Sequence, residues 1–210
     1  MIPSANPKAQ YISYKNEIDS GIQRVLDSGW YVLGNEVSEF EKEFAQFNTV
    51  SHAIGVGSGT DALHIALRAM DIGPEDEVIT TAHTAVATAT AIDLAGAKPI
   101  FVDIESDFFT INPSLIEQAI TSKTKAIIPV HIYCQPCDMD AVMDIANKNN
   151  LKVIEDCAQA HGAEYIGNRV GSMGDVGCFS FFPTKNLGAI GDGGALVTNN
   201  DKLAKKIRLI

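Results

Sequence analysis

Short apolar runs alternate with amphipathic helical patterns along most of this chain, and that alternation narrows the fold more than any other feature. His52-Ala53-Ile54-Gly55-Val56 reads as a short buried strand, and residues 77–80, 98–102, 125–130 and 151–155 read as further strands. Helical patterns lie between them, over 62–70, 85–95, 113–120 and 138–149. A strand-helix-strand-helix order makes the strands mainly parallel and lays helices on both faces of the sheet. The expected fold is therefore an α/β domain with a mostly parallel central sheet flanked by helices. In such sheets function gathers beyond the carboxyl ends of the strands. Those ends carry Gly57–Asp61, His83, Asp103, His131–Tyr133 and Asp156–His161.

Upstream, residues 14–28 and 36–47 predict two further helices, separated by an aromatic loop, Gly29-Trp30-Tyr31-Val32-Leu33-Gly34. Trp30 and Tyr31 are either packed anchors or a ligand or subunit contact. Two late strands, 177–182 and 194–198, are joined by the segment that contains Lys185, and they read as a hairpin-like closure of the sheet.

The net charge of −10, with no basic stripe, argues against nucleic acid or an anionic membrane as the main partner. No apolar run approaches the ~18 residues that span a bilayer. The opening MIPSANPKAQYISYK lacks the apolar middle of a secretory signal, so a cytoplasmic setting with reduced cysteines is expected. The closing pattern Asp201–Ile210 is an amphipathic helix with no stop signal. It reads as a chain ending inside an element of a longer protein. Cys134-Gln135-Pro136-Cys137 has redox or half-zinc spacing, but Cys157 and Cys178 form no second pair. Two free thiols at a turn are the preferred reading, and no metal site is expected.

Three features carry chemistry. Gly57-Ser58-Gly59-Thr60-Asp61 joins a strand to a helix, where free N–H groups and the helix dipole converge and small residues admit a phosphate. The spacing fits neither a P-loop nor the dinucleotide fingerprint. The plainer alternative is that Thr60 or Asp61 caps the helix. Asp156 ends an apolar strand, where a carboxylate is costly unless paired. It reads as a cap, as half of a buried ion pair, or as the partner of a protonated pyridine nitrogen. Lys185 lies in Ser180-Phe181-Phe182-Pro183-Thr184-Lys185-Asn186-Leu187-Gly188. A Schiff-base lysine attacks as the neutral amine, and the run Phe179-Ser180-Phe181-Phe182 can help to desolvate it. An aspartate and a lysine so placed suit a cofactor with a pyridine nitrogen and an aldehyde, pyridoxal phosphate (PLP). Ser180 is then a phosphate donor or a core serine. Gln159 and His161 are partners of a cofactor phenolate or ordinary loop residues. His83 stacks on a flat ring or caps the helix that follows it.

Taken together, these motifs resemble the DegT/StrS-type PLP-dependent sugar aminotransferases. The resemblance runs from about Glu17 to the end, through Asp27–Gly34, Gly57–Leu63, Pro129–Tyr133 with Gln135-Pro136, Glu155–Gly162 and Ser180–Gly188. It implies the aspartate-aminotransferase (type I) fold, with residues 1–210 as an N-terminal segment plus the large PLP-binding domain and a small C-terminal domain absent. It also implies roles. Lys185 holds PLP as a Schiff base and shuttles the proton, and Asp156 pairs with the pyridinium. Gln159 lies near the phenolic oxygen, and Gly59, Thr60 and Ser180 cradle the phosphate. The implied reaction moves an amino group from L-glutamate to a keto-sugar attached to a nucleotide, in a homodimer whose neighbouring subunit completes each site. This chain departs from the pattern at Ala85, where an aromatic ring-stacking residue is common and His83 can substitute. It departs also at Cys134, usually glycine, and at Asn35, where proline is common. Amination of a cyclitol or other cyclic ketone, a non-catalytic PLP-binding regulator, and a zinc or redox protein are the competing readings.

Overall fold

The computed structural model describes residues 5–210; Met1–Ser4, which open the stretch read as lacking a secretory signal, lie outside the described residues. The strands are β1 (His52–Val56), β2 (Glu77–Thr81), β3 (Lys98–Val102), β4 (Thr124–Ile128), β5 (Lys152–Asp156), β6 (Glu164–Tyr165), β7 (Asn168–Arg169), β8 (Val176–Ser180) and β9 (Gly194–Thr198). The helices are α1 (Pro7–Ser13), α2 (Lys15–Ser28), α3 (Asn35–Phe47), α4 (Gly59–Ala69), α5 (Val86–Leu94), α6 (Pro113–Ala119), α7 (Met139–Asn149) and α8 (Asp201–Leu209).

Seven strands make one sheet in the order β1-β9-β8-β5-β4-β2-β3. From β8 to β3 every neighbouring pair is parallel. β9 runs antiparallel to both β8 and β1. The expected closure by β8 and β9 is therefore present, but β9 is an interior strand and β1 covers its outer edge.

Period-2 alternation sorts the sheet's side chains onto two faces. Ile54, Val78, Ala126, Ile128, Ile154, Val176 and Leu196 pack with residues of α4, α5 and α8. On the other face, Ile79, Ile127 and Val153 pack with residues of α6 and α7. Ala53, Phe179, Ala195 and Val197 pack there with Phe44 and Ala45 of α3. This three-layer arrangement explains why the central strands read as unbroken apolar runs: both of their faces are covered.

Two elements were not legible. α1 is short, begins at a proline and buries no residue. The β6–β7 hairpin has two residues per strand. α2 shows the expected apolar stripe but buries none of it; Ile22 and Leu26 are exposed. No helix among the described residues is long and apolar enough to cross a membrane.

Candidate active site

Register brings the chemical residues to one end of the sheet. Asp156 pairs with Cys178 across β5 and β8, and Ser180 pairs with Gly194, which in turn faces Val56. Beyond these ends opens a cavity of about 220 Å³. Gly59, Thr60, Asp156, Gln159, Ser180 and Lys185 all line it.

The floor on one side is the start of α4. The helix begins at Gly59, earlier than its apolar pattern suggested, and Ser58 caps it: its Oγ accepts from the Asp61 N–H at 3.1 Å. Neither Thr60 nor Asp61 is the cap, because both already lie in the first helical turn. The N–H groups of that turn have no helical acceptor, and a positive dipole end faces the cavity. Only glycine fits at position 59: a Cβ there would lie 2.5 Å from the Ser180 Cβ. The close approach puts the Ser180 hydroxyl beside the helix terminus, a ready anion cradle.

Asp156 is 5% exposed. It is neither a helix cap nor half of an ion pair among the described residues. Its Oδ1 accepts from the Ala158 N–H at 3.1 Å, and its Oδ2 accepts from the Thr88 hydroxyl at 2.8 Å. Thr88 is fully buried on α5, and its Oγ1 lies 2.8 Å from the Thr84 Oγ1. Thr88 spends its one proton on the carboxylate, so Thr84 donates to Thr88. Burial pushes the Asp156 carboxyl above the usual carboxylate range, opposed by the Ala158 N–H, the Thr88 hydroxyl and the charge of Lys185. A buried carboxylate whose oxygens are met by two neutral donors is well placed to receive a cation.

Lys185 sits on a loop closed on itself. The Lys185 N–H donates to the Phe182 carbonyl at 2.8 Å and the Ala189 N–H to the Phe181 carbonyl at 2.7 Å. Gly188 permits the closure, since a Cβ there would come within 2.5 Å of the Pro183 carbonyl oxygen. Lys185 is half-buried, with no carboxylate in salt-bridge range among the described residues. The expected aromatic desolvation is split by strand alternation. Phe182 and Ser180 border the cavity, whereas Phe179 and Phe181 point into the core under α3.

The remaining candidates lie outside the cavity wall. His83 does not cap α5, whose N-cap is Ala85. Its ring packs near Phe109 and Tyr133, with Nε2 3.3 Å from the Tyr133 hydroxyl. Ala85 itself lines the cavity. His161 packs against Phe179 and Phe181 with both ring nitrogens unpartnered, and burial lowers its pKa to about 4. Cys134 is exposed and Cys137 buried; both are free thiols, as are Cys157 and Cys178. Thr84, Thr88 and Asp192 escaped the sequence reading, although Thr84 and Asp192 line the cavity. The only signal was two threonines four residues apart, Thr84 just ahead of the small-residue helix and Thr88 in its first turn.

The donor set fits a phosphorylated pyridine aldehyde. An anion cradle, a buried carboxylate held by neutral donors and an amine on a closed loop border one small cavity. Fold and site thus define an aminotransferase-type α/β domain. Comparison with known proteins gives the family: residues 13–210 match the model of the DegT/DnrJ/EryC1/StrS aminotransferase family, and the chain belongs to it.

A "UDP-N-acetyl-3-dehydro-alpha-D-glucosamine 3-aminotranferase" of Acidithiobacillus ferrooxidans is 51% identical over 99% of this chain and 56% of its own length. A "Pleiotropic regulatory protein" of Geobacillus stearothermophilus is 51% identical over 100% of this chain and 56% of its own. The crystal structure of Streptomyces venezuelae DesV in complex with a ketimine intermediate superposes with a TM-score of 0.97 at 49% identity, over 99% of this chain and 56% of that one. The chain spans about half the length of the curated relatives it matches.

Proposed function

We propose that this chain is the N-terminal segment and large domain of a PLP-dependent aminotransferase that moves an amino group from L-glutamate to a nucleotide-linked keto-sugar. The observation that carries the reading is the convergence of Lys185, Asp156 and the Gly59–Thr60–Ser180 cradle on one cavity. The UDP-linked keto-sugar named for the Acidithiobacillus relative supports the substrate class. A homodimer in the cytoplasm is part of the same proposal.

When bound, PLP supplies an aldehyde that carries the amino group and a protonated ring that withdraws electrons from the carbon being deprotonated. The chain's own groups divide the remaining work. The first turn of α4, with Thr60 and Ser180, holds the phosphate through N–H and hydroxyl donors. Asp156 keeps the ring nitrogen protonated, because its buried charge is satisfied best by a cation. Thr88 orients that carboxylate through its 2.8 Å bond. Gln159 offers a side-chain amide to the phenolic oxygen. Lys185 would hold the aldehyde through Nζ, and the same nitrogen would serve as the group that accepts and returns a proton. Ala85 lines the cavity with a small side chain, and His83 stands outside the wall, 3.3 Å from the Tyr133 hydroxyl.

The test is visible absorption of the full-length protein with PLP, before and after L-glutamate, followed by borohydride trapping and peptide mapping. A band that bleaches with L-glutamate and a label on Lys185 are expected. A label on another residue, or no band, would overturn the reading. The regulatory name carried by the Geobacillus relative favours one alternative, a PLP-binding protein without turnover. A band on Lys185 that ignores every amino donor would favour that alternative.

A further inference from the structure

Glu155 and Asp156 are consecutive on β5, so their side chains leave opposite faces of the sheet. Asp156 faces the cavity. Glu155, also fully buried, faces away and meets the buried His131, Nε2 to Oε2 3.0 Å. The same carboxylate accepts backbone N–H groups from Gly171 at 2.7 Å, Met173 at 2.8 Å and Gly174 at 2.7 Å. On the other side of the ring, Nδ1 accepts from the Cys137 N–H at 3.0 Å. A backbone N–H can only donate, so Nδ1 carries the lone pair and Nε2–H donates to Glu155.

Burial opposes a charged ring, while Cys137, Cys157 and Glu155 raise its proton affinity above the ordinary histidine value. A second proton would nevertheless point at the Cys137 N–H, so this geometry holds the neutral imidazole. The Cys157 sulfur lies within 4.8 Å of the same two groups. A metal ion there would have to displace hydrogen bonds that already occupy the ring nitrogens and both carboxylate oxygens.

The segment that His131 ties down is unusual. Ile132–Cys134 forms a single 3₁₀ turn in which Tyr133 and Cys134 both have left-handed backbone, φ +56° and +63°. Two adjacent non-glycine residues hold that conformation only where their surroundings impose it. The turn is also where this region touches the site. The Cys134 N–H donates to the Gln159 carbonyl at 3.0 Å, and the Asn186 amide donates to the Cys134 sulfur at 3.1 Å. Asn186 directly follows Lys185.

We propose that His131, locked by Glu155, is a positioning residue: the Glu155–His131–Cys137 chain of hydrogen bonds imposes the Tyr133–Cys134 turn, and that turn fixes Gln159 and the Lys185 loop. The effect on cofactor binding rests on the PLP reading; the effect on the turn does not.

Two substitutions in the full-length protein separate the ring's two bonds. In His131→Gln the longer amide still reaches Glu155 but leaves the Cys137 N–H without an acceptor. In His131→Asn the carbonyl takes the place of Nδ1 and the link to Glu155 is lost. Val142→Ala, a cavity in the α7 core, controls for general destabilisation. The readouts are the rate at which a disulfide reagent modifies Cys134 in cofactor-free protein, located by peptide mapping, the dissociation constant for PLP, and the urea midpoint.

His131→Gln is expected to speed Cys134 modification and to weaken PLP binding by about 10-fold each, the scale of one lost buried hydrogen bond. His131→Asn is expected to fall between wild type and His131→Gln, with about a threefold change on both, because the Cys137 acceptor survives while the lock to Glu155 is lost. Val142→Ala is expected to lower the urea midpoint and leave Cys134 unchanged. Equal modification rates in the two histidine variants, or a Val142→Ala rate matching His131→Gln, would overturn the proposal. If wild type fails to bind PLP, the cofactor reading falls, and the Cys134 rates alone decide the positioning role.

Discussion

Replacing Thr88 by valine removes one hydroxyl and keeps the branched shape of the side chain. The loss falls on a buried carboxylate, since Thr88 Oγ1 lies 2.8 Å from Asp156 Oδ2 and Asp156 is 5% exposed. A hydrogen bond to a charged group contributes about 1.5–3 kcal/mol. Thr88 is fully buried, and the valine methyl fills the space that the hydroxyl leaves. Burial already raises the proton affinity of Asp156, and Thr88 is one of the groups that oppose it. Without Thr88 the carboxyl takes up a proton more readily and, on the proposed PLP reading, loses its hold on the pyridinium. Thr88→Val should therefore weaken PLP binding roughly 10- to 150-fold at neutral pH. The loss should shrink as the pH rises and Asp156 is forced to ionise.

The assay is fluorescence or absorbance titration of the full-length variant with PLP at several pH values, alongside Thr84→Val. The latter removes only a neutral hydroxyl that donates to Thr88, so about a fivefold loss is expected. Binding by Thr88→Val within twofold of wild type, with the same pH dependence, would refute the account of Asp156. So would a Thr84→Val effect as large as that of Thr88→Val.

Four other outcomes are expected. Gly59→Ala puts a Cβ 2.5 Å from Ser180 and fills the cradle; overpacking of about 1–3 kcal/mol should accompany loss of PLP binding, while pyridoxal without its phosphate loses less, by equilibrium dialysis. Phe44→Ala empties the centre of an aromatic cluster, with ring centroids 5.0 Å from Phe179 and 5.3 Å from Phe181, and should cost about 3–5 kcal/mol in urea unfolding.

Burial holds His161 neutral, with its pKa lowered to about 4, so the unfolded chain binds more protons between the ordinary histidine value and that pH. This contribution is full above the ordinary value and is lost as pH falls through the window, and His161→Phe should flatten that limb of a stability–pH curve. Finally, mass mapping of alkylated native protein should find Cys134 modified first. Cys137, Cys157 and Cys178 are buried, and burial further pushes the Cys157 thiol up to about 12 and Cys178 well above its usual value.

The sequence by itself determined the layer architecture and, of the cavity wall, Gly59, Thr60, Asp156, Gln159, Ser180 and Lys185. Strand and helix periods are local properties, set by which residues must leave water, so β1 to β5 and α3 to α7 could be read before any contact was known. The Asp156 and Lys185 segments were legible for a related reason. A carboxylate closing an apolar strand and a lysine between Pro183 and Gly188 are both locally unfavourable, and such conflicts mark sites.

Tertiary structure decided the rest, because it depends on groups far apart in the chain. Nothing local places β9 between β8 and β1; that order follows from the pairing of Gly194 with both Ser180 and Val56. Ser58 emerged as the cap of α4 only once Gly59 and Thr60 were seen inside its first turn. Thr88 looks like any small residue of α5 until the fold carries it across 68 positions to Asp156. His131 and Glu155 each resemble an ordinary strand-end residue, and only burial against each other gives them a shared hydrogen bond. A hydrogen bond selects its partner by position and direction in space, and spacing along the chain carries no information about either once the partners lie on different elements.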